Sequence, residues 1–144
     1  MKRFTQCASL IMAIVLILAI PVSAAEDTAP RASNFFAASS TYLWRTSSTT
    51  FEVWFDIDAV RIMDKLGACE IKVQKSSDGV NWTTMVTYTD ELYPHLMKAD
   101  TSTHCGYVTY TGTPGYYYRA RVTYYAEKGN GSGEVTEYTS SMVL

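Results

Sequence analysis

Phe51-Glu52-Val53-Trp54-Phe55-Asp56-Ile57-Asp58 alternates apolar and polar residues with a period of two. Phe51, Val53, Phe55 and Ile57 fall on one side of an extended chain, and Glu52, Asp56 and Asp58 fall on the other. A strand that covers a core with one face and meets water with the other has this pattern. Working outward, Tyr42-Leu43-Trp44 predicts a preceding strand. Cys69, Ile71 and Val73 alternate with Glu70, Lys72 and Gln74 in a following one. Between them the period changes. Val60, Met63 and Leu66 are spaced like one face of a short helix over 59–66, with Gly67 as its stop.

Downstream, Lys75-Ser76-Ser77-Asp78-Gly79-Val80-Asn81-Trp82 predicts a hairpin turn, because glycine tolerates positive φ and aspartate bonds the backbone ahead of it. Trp82 is expected to pack over that hairpin and fix its register. Residues 82–89 return as its partner strand, and 90–104 read as a long irregular connection. Residues 106–111 form another strand, Gly112–Gly115 a turn, 116–125 a long strand, 128–133 a loop, and 135–143 the last strand. About seven strands separated by turn residues, with one short helical turn, predict an all-β antiparallel β-sandwich over residues 41–144. Residues 26–40 are small and polar apart from Phe35 and Phe36, and read as a flexible lead-in.

The first 25 residues have a different logic. Lys2 and Arg3 precede an apolar run from Ala8 to Ile20, Pro21 ends it, and small residues follow up to Ala25. That is the three-part layout of a secretory signal, and the apolar run is shorter than the roughly 20 residues a spanning helix needs. The expected product is secreted, with no stable membrane insertion after cleavage. Loss of Lys2 and Arg3 takes the formal charge from −2 to −4. A mildly acidic chain without a basic cluster argues against nucleic acid as a partner. Cys7 leaves with the signal, so Cys69 and Cys105 remain as an even pair. An oxidising compartment permits a bridge between them, and two free thiols are the alternative.

Few residues suggest catalysis. His104 adjoins Cys105, but neighbours on an extended chain point to opposite sides. A zinc site needs three or four convergent ligands, commonly in close pairs, and the mature chain has no such spacing, so no metal or cofactor is expected. Asp56 and Asp58 share a strand face and could do acid–base work with His104 in a small exported hydrolase. Without a glycine-bearing ligand loop or a second acidic segment, a solvated strand face is the better reading of the two acids. The connection 90–104 would serve a structural or inhibitory protein whose loops contact a partner.

Aromatic residues are abundant, with eleven tyrosines and three tryptophans. Alternation places Tyr117, Arg119, Arg121 and Tyr125 outward on one strand, and Trp54 outward on another. Outward Tyr and Arg can stack on sugar rings or anchor a protein. They can also cover neighbours within the sheet. The expectation is a non-catalytic binding or surface-interaction module for a glycan or an extracellular protein.

Two resemblances add to this. Pro114-Gly115-Tyr116-Tyr117-Tyr118-Arg119-Ala120-Arg121-Val122 resembles the end of a fibronectin type III or related immunoglobulin-like domain. The likeness implies that Tyr118 is a corner tyrosine bonded to the preceding turn, with Ala120, Val122 and Tyr124 in the core. Phe51–Phe55 is similar to that family's second strand, with Phe55 where a tryptophan is usual. The stretches ASSTYLWRTSSTTFEVWFDIDAV, KVQKSSDGVNWTT and YTGTPGYYYRARVTYYA are also similar to an uncharacterised family of small secreted proteins of Gram-positive gut bacteria, a domain of unknown function. That likeness implies export and a fold, and no mechanism.

Overall fold

The computed structural model describes residues 34–144. The expected secretory signal and most of the expected lead-in lie outside these residues. The described chain forms seven strands: β1 (Phe36–Arg45), β2 (Thr50–Ser76), β3 (Thr83–Thr89), β4 (Met97–Thr111), β5 (Tyr117–Lys128), β6 (Gly131–Tyr138) and β7 (Met142–Val143). Every pairing is antiparallel. The first half of β2 lies between β1 and β4, and its second half between β5 and β3. β6 and β7 extend the sheet beyond β5.

One strand therefore serves two layers. The Phe51 ring lies 5.3 Å from that of Tyr118. Tyr118 is registered with Lys75 at the other end of β2. A straight strand would hold those two positions of β2 roughly 80 Å apart, so β2 bends over and its halves face each other. Phe51, Val53, Phe55 and Ile57 meet Ile71, Val73, Tyr118, Ala120, Val122 and Tyr124 in a common buried core. This is the all-β antiparallel sandwich that the alternation predicts. The buried tyrosines satisfy their hydroxyls at the backbone. Tyr118 accepts the Thr113 N–H at 2.7 Å and donates to the Thr113 carbonyl at 3.3 Å. Tyr124 donates to the Ser40 carbonyl of β1 at 2.7 Å, which ties the layers together.

The expected helix over 59–66 is instead the bend of β2. Asp58 is registered with Thr103 but Met63 with Thr101, so β2 carries extra residues there as a bulge. A bulge bends its strand and increases the local twist. The rotation brings Met63 and Leu66 into the core and leaves Val60 and Ile62 exposed, which gives apolar residues the spacing of a helix. Among the described residues the one helical turn is a 3-10 turn at Pro94–Leu96. Gly67 is not a helix stop. A Cβ there would lie 2.1 Å from the Leu96 carbonyl oxygen, so the strand needs glycine to pass the backbone of that turn.

Other boundaries move outward. β1 starts at Phe36, so 36–40 belong to the sheet rather than to a lead-in, and Phe35 and Phe36 pack on the core. β4 starts at Met97, which shortens the expected connection. The expected loop 128–133 narrows to Gly129-Asn130, because Lys128 already pairs with Gly131. Asp64, just past the bend, accepts bonds from Lys128 Nζ at 2.6 Å and Gly129 N–H at 2.7 Å and so holds that hairpin. Those bonds keep its carboxyl below the usual carboxylate range.

Replacing Gly67 by Ala is expected to destabilise the protein by about 2–3 kcal/mol, the upper part of the overpacking range, since the obstacle is backbone rather than a mobile side chain. Urea unfolding measures this. A midpoint unchanged in Gly67→Ala would mean that the crossing at Leu96 is looser than described.

Candidate functional site

Alternation along β2 turns Glu52, Trp54, Asp56 and Asp58 away from the core, and register decides what they meet. Trp54 sits opposite Tyr42 on β1 and opposite Tyr107 on β4. The Trp54 and Tyr107 rings stack with centroids 4.6 Å apart. Tyr42 and Trp54 are parallel to within 2° at 6.4 Å. Trp44, registered with Glu52, extends the aromatic surface by one pair. Trp44, Tyr42 and Tyr107 remain 60%, 48% and 44% exposed. Glu52 Oε2 accepts the Trp54 indole N–H at 2.7 Å. Tyr42, Trp44, Glu52 and Trp54 frame a shallow hollow of about 280 Å³. Contiguous exposed aromatic surface of this kind marks interaction sites more often than isolated apolar residues do.

Sequence reasoning finds Trp54 but misses Tyr42, Trp44 and Tyr107. Tyr42 and Trp44 carry a local signal, being two residues apart on one strand face. Tyr107 carries none, since only the β2–β4 register brings it to Trp54.

The expected stripe of Tyr117, Arg119, Arg121 and Tyr125 lies on β5, in the other layer from Trp54. The polar groups of Arg119, Arg121 and Tyr125 are already engaged. The Arg119 guanidinium lies 4.3 Å from the Trp82 ring and 4.7 Å from the Tyr138 ring, and its Nε donates to Gln74 at 2.8 Å. Arg121 pairs with Glu70 at 3.3 Å, and Lys72 shares that carboxylate at 3.0 Å. Tyr125 donates to Glu127 at 2.6 Å, and this bond raises the phenol's pKa. Tyr117 is exposed, with its ring beside Gly79. Trp82 reaches past its hairpin and covers Arg119.

The turn that feeds Trp82 is built from its own side chains. Ser76 Oγ accepts the N–H groups of Asp78 and Gly79 at 3.2 and 2.8 Å and donates to Asp78 Oδ1 at 2.8 Å. Asp78 in turn accepts the Val80 and Asn81 N–H groups, both at 2.8 Å, and the Asn81 amide at 2.7 Å. Gly79 takes φ +74°, the left-handed conformation the turn requires. The backbone and side-chain bonds from Asn81, with those from Val80 and Ser76, hold the Asp78 carboxyl far below its ordinary range.

Histidine and the acids are kept apart. Asp56 and Asp58 border a small hollow with Ala38–Ser40 on the outer face. His104 is registered with Ile57 and so points the other way. Its ring meets Phe55 edge-on at 5.5 Å, and its Nε2 lies 2.9 Å from the His95 carbonyl. Burial lowers its pKa. His104 borders a cleft of about 750 Å³ between the β3 and β4 sides of the sandwich, with Tyr88, Tyr93 and His95. There Tyr88 donates to the Thr109 carbonyl at 2.9 Å, and His95 Nε2 lies 3.2 Å from the Tyr107 carbonyl. These side chains occupy carbonyls on the free edge of β4. Among the described residues no three His, Cys, Asp or Glu side chains converge as a metal site.

Cys69 and Cys105 are both free thiols, so the bridge permitted by the sequence is absent. Cys69 sits on β2 beyond the bend, where its thiol donates to the Thr123 carbonyl at 3.3 Å. Cys105 lies on β4 opposite Asp56, before the bend. Burial, reinforced by Glu134 and Asp90, pushes the Cys69 thiol up to about 11.

No family model matches this chain, and neither a curated protein nor a solved structure does. Among the described residues no helix is long and apolar enough to cross a membrane.

Two outcomes follow from these environments. Alkylation with iodoacetamide near neutral pH should modify Cys105 about tenfold or more faster than Cys69, because the thiolate is the reactive form. Mass spectrometry of the intact protein should show two modifiable thiols without reduction, and a chain inert until reduced would contradict the free pair. For Asp78 the folded carboxyl titrates below the unfolded one, so its contribution is full above the ordinary carboxylate range and is lost as the pH falls through it. The gap in urea midpoint between wild type and Asp78→Ala should therefore narrow from about pH 6 to about pH 2. A gap independent of pH would mean that the carboxylate's bonds do not hold the turn.

Proposed function

We propose that this chain is an exported, non-catalytic binding module on a fibronectin type III-like sandwich, with its working surface on the outer face of β1, β2 and β4. The observation that carries the reading is the row Tyr42–Trp54–Tyr107, with Trp44 beside it, left open to solvent on a three-stranded face. A β-sheet presents such rings from fixed backbone positions, so stacking on a ligand costs little ordering entropy. The ligand is a glycan or a protein outside the cell. Support for export comes from the charged, apolar and small-residue sequence of the first 25 positions. Support for the fibronectin-like assignment comes from the Pro114-Gly115 turn and the bond between Tyr118 and Thr113.

The outer-face reading displaces the β5 stripe. Arg119 and Arg121 would have to leave aromatic and carboxylate partners before meeting a ligand, and their present contacts cover the sheet. Tyr42, Trp44 and Tyr107 would give up only water over most of their exposed surface.

Glycan and extracellular-protein arrays probed with the exported chain test this. Trp54→Ala/Tyr107→Ala should lose binding by at least about tenfold, in the range expected when aromatic hot spots are truncated. Tyr117→Ala/Tyr125→Ala should bind like wild type. Circular dichroism verifies that each variant is folded. Loss confined to the second pair would transfer the site to β5, and equal binding by all three would overturn both surfaces.

A further inference from the structure

The hollow on the outer face is not simply apolar. Three aromatic side chains, Tyr42, Trp44 and Trp54, surround one carboxylate, that of Glu52. Glu52 Oε2 is held by the Trp54 indole, which fixes the carboxylate among the rings. Among the described residues no lysine or arginine pairs with it, although the other layer has such pairs at Glu70 and Glu127. Arg45, the nearest cation in sequence, turns to the Val143 carbonyl instead. The rim is therefore rich in π faces, carries one negative charge and lacks a compensating positive one.

We propose that this hollow binds a trimethylammonium headgroup, which names the ligand chemistry for the outer face and rests on the binding reading given above. An organic cation gains from the ring quadrupoles and from the carboxylate together. The number of hydrogen-bond acceptors selects the kind of cation. A primary ammonium brings three N–H donors, whereas the hollow offers few acceptors and Trp54 has already taken one carboxylate oxygen. Burying such an ammonium would leave donors unsatisfied, at the cost of desolvation. A quaternary ammonium has no donors to satisfy, and its methyl groups contact the rings directly. A neutral sugar ring would use the aromatic faces but leave the charge of Glu52 unanswered.

Tryptophan fluorescence of the exported chain, titrated with choline, tests this. Its uncharged isostere 3,3-dimethylbutan-1-ol and the primary amine n-butylamine serve as controls. Choline should bind at least about tenfold more tightly than either control, near the upper range for a cation over several rings. Glu52→Gln should weaken choline about tenfold and leave the isostere unchanged. Trp44→Ala, at an exposed position where folding is not at risk, should lose choline altogether. A trimethyllysine peptide and choline phosphate ask which carrier presents the headgroup, and tighter binding of either supports the proposal. Choline binding no better than the isostere would overturn it, as would equal binding of n-butylamine. If choline fails while an array ligand still depends on Trp54 and Tyr107, the cation site is wrong and the binding surface stands. If both fail, the outer-face reading falls with it.

Discussion

Because Phe51 and Tyr118 touch while Tyr118 is registered with Lys75, the two ends of β2 must lie over one another. The bend in that strand is the constraint on which the sandwich depends. It lets one continuous backbone supply the centre of both layers, so the inner faces are aligned by covalent connection as well as by packing. Three contacts hold it. The bulge between Asp58 and Met63 supplies the rotation, Gly67 lets the backbone pass Leu96, and Asp64 ties the strand to the β5–β6 hairpin. Leu96 is itself fully buried, so the 3-10 turn that Gly67 passes is anchored in the core.

The two outer faces have been completed differently. On β5 the cations of Arg119 and Arg121 are matched by Trp82, Tyr138, Gln74 and Glu70, and the face is satisfied from within. On β1, β2 and β4 the rings meet one another but keep much of their surface in water, and among the described residues no lysine or arginine pairs with Glu52. Electrostatic attraction inside the first face competes with any ligand. On the second face the rings stack on one another and the Trp54 indole holds Glu52, but no cation of the described residues is paired there. That difference, rather than the number of aromatic residues, is the ground on which we propose the outer face of β2 as the binding surface.

The edges follow a related rule. A free strand edge offers unpaired backbone groups to other chains. On β4 the Tyr88 hydroxyl and the His95 ring occupy the carbonyls of Thr109 and Tyr107. The histidines thus have work in closing the sandwich, and the cleft they border lies on the side of β4 away from Asp56 and Asp58. The chemistry that a list of residue types suggests is divided by the alternation of the strand itself.

Local physics made much of this legible in the sequence. Alternation identified Phe51, Val53, Phe55, Ile57, Ile71, Val73, Tyr118 and Tyr124 as core positions, because the side of a strand on which a residue lies depends only on its neighbours, and the fibronectin-like resemblance added Ala120 and Val122. The Asp78-Gly79 turn was legible for the same reason, since every bond that builds it lies within Ser76–Asn81. What alternation could not supply was register. It assigned Trp54 and Arg119 to outer faces without saying that Trp54 would meet Tyr42 and Tyr107, or that Trp82 and Tyr138 would close over Arg119. Nor could it separate a helix from a bulged bend over 59–66, because the bulge breaks the two-residue period and buries Met63 and Leu66 three residues apart while Val60 stays exposed. Those outcomes depend on which distant strands pair and where the chain turns. The sequence by itself determined which residues face inward, and only the tertiary structure decided which outward residues become neighbours.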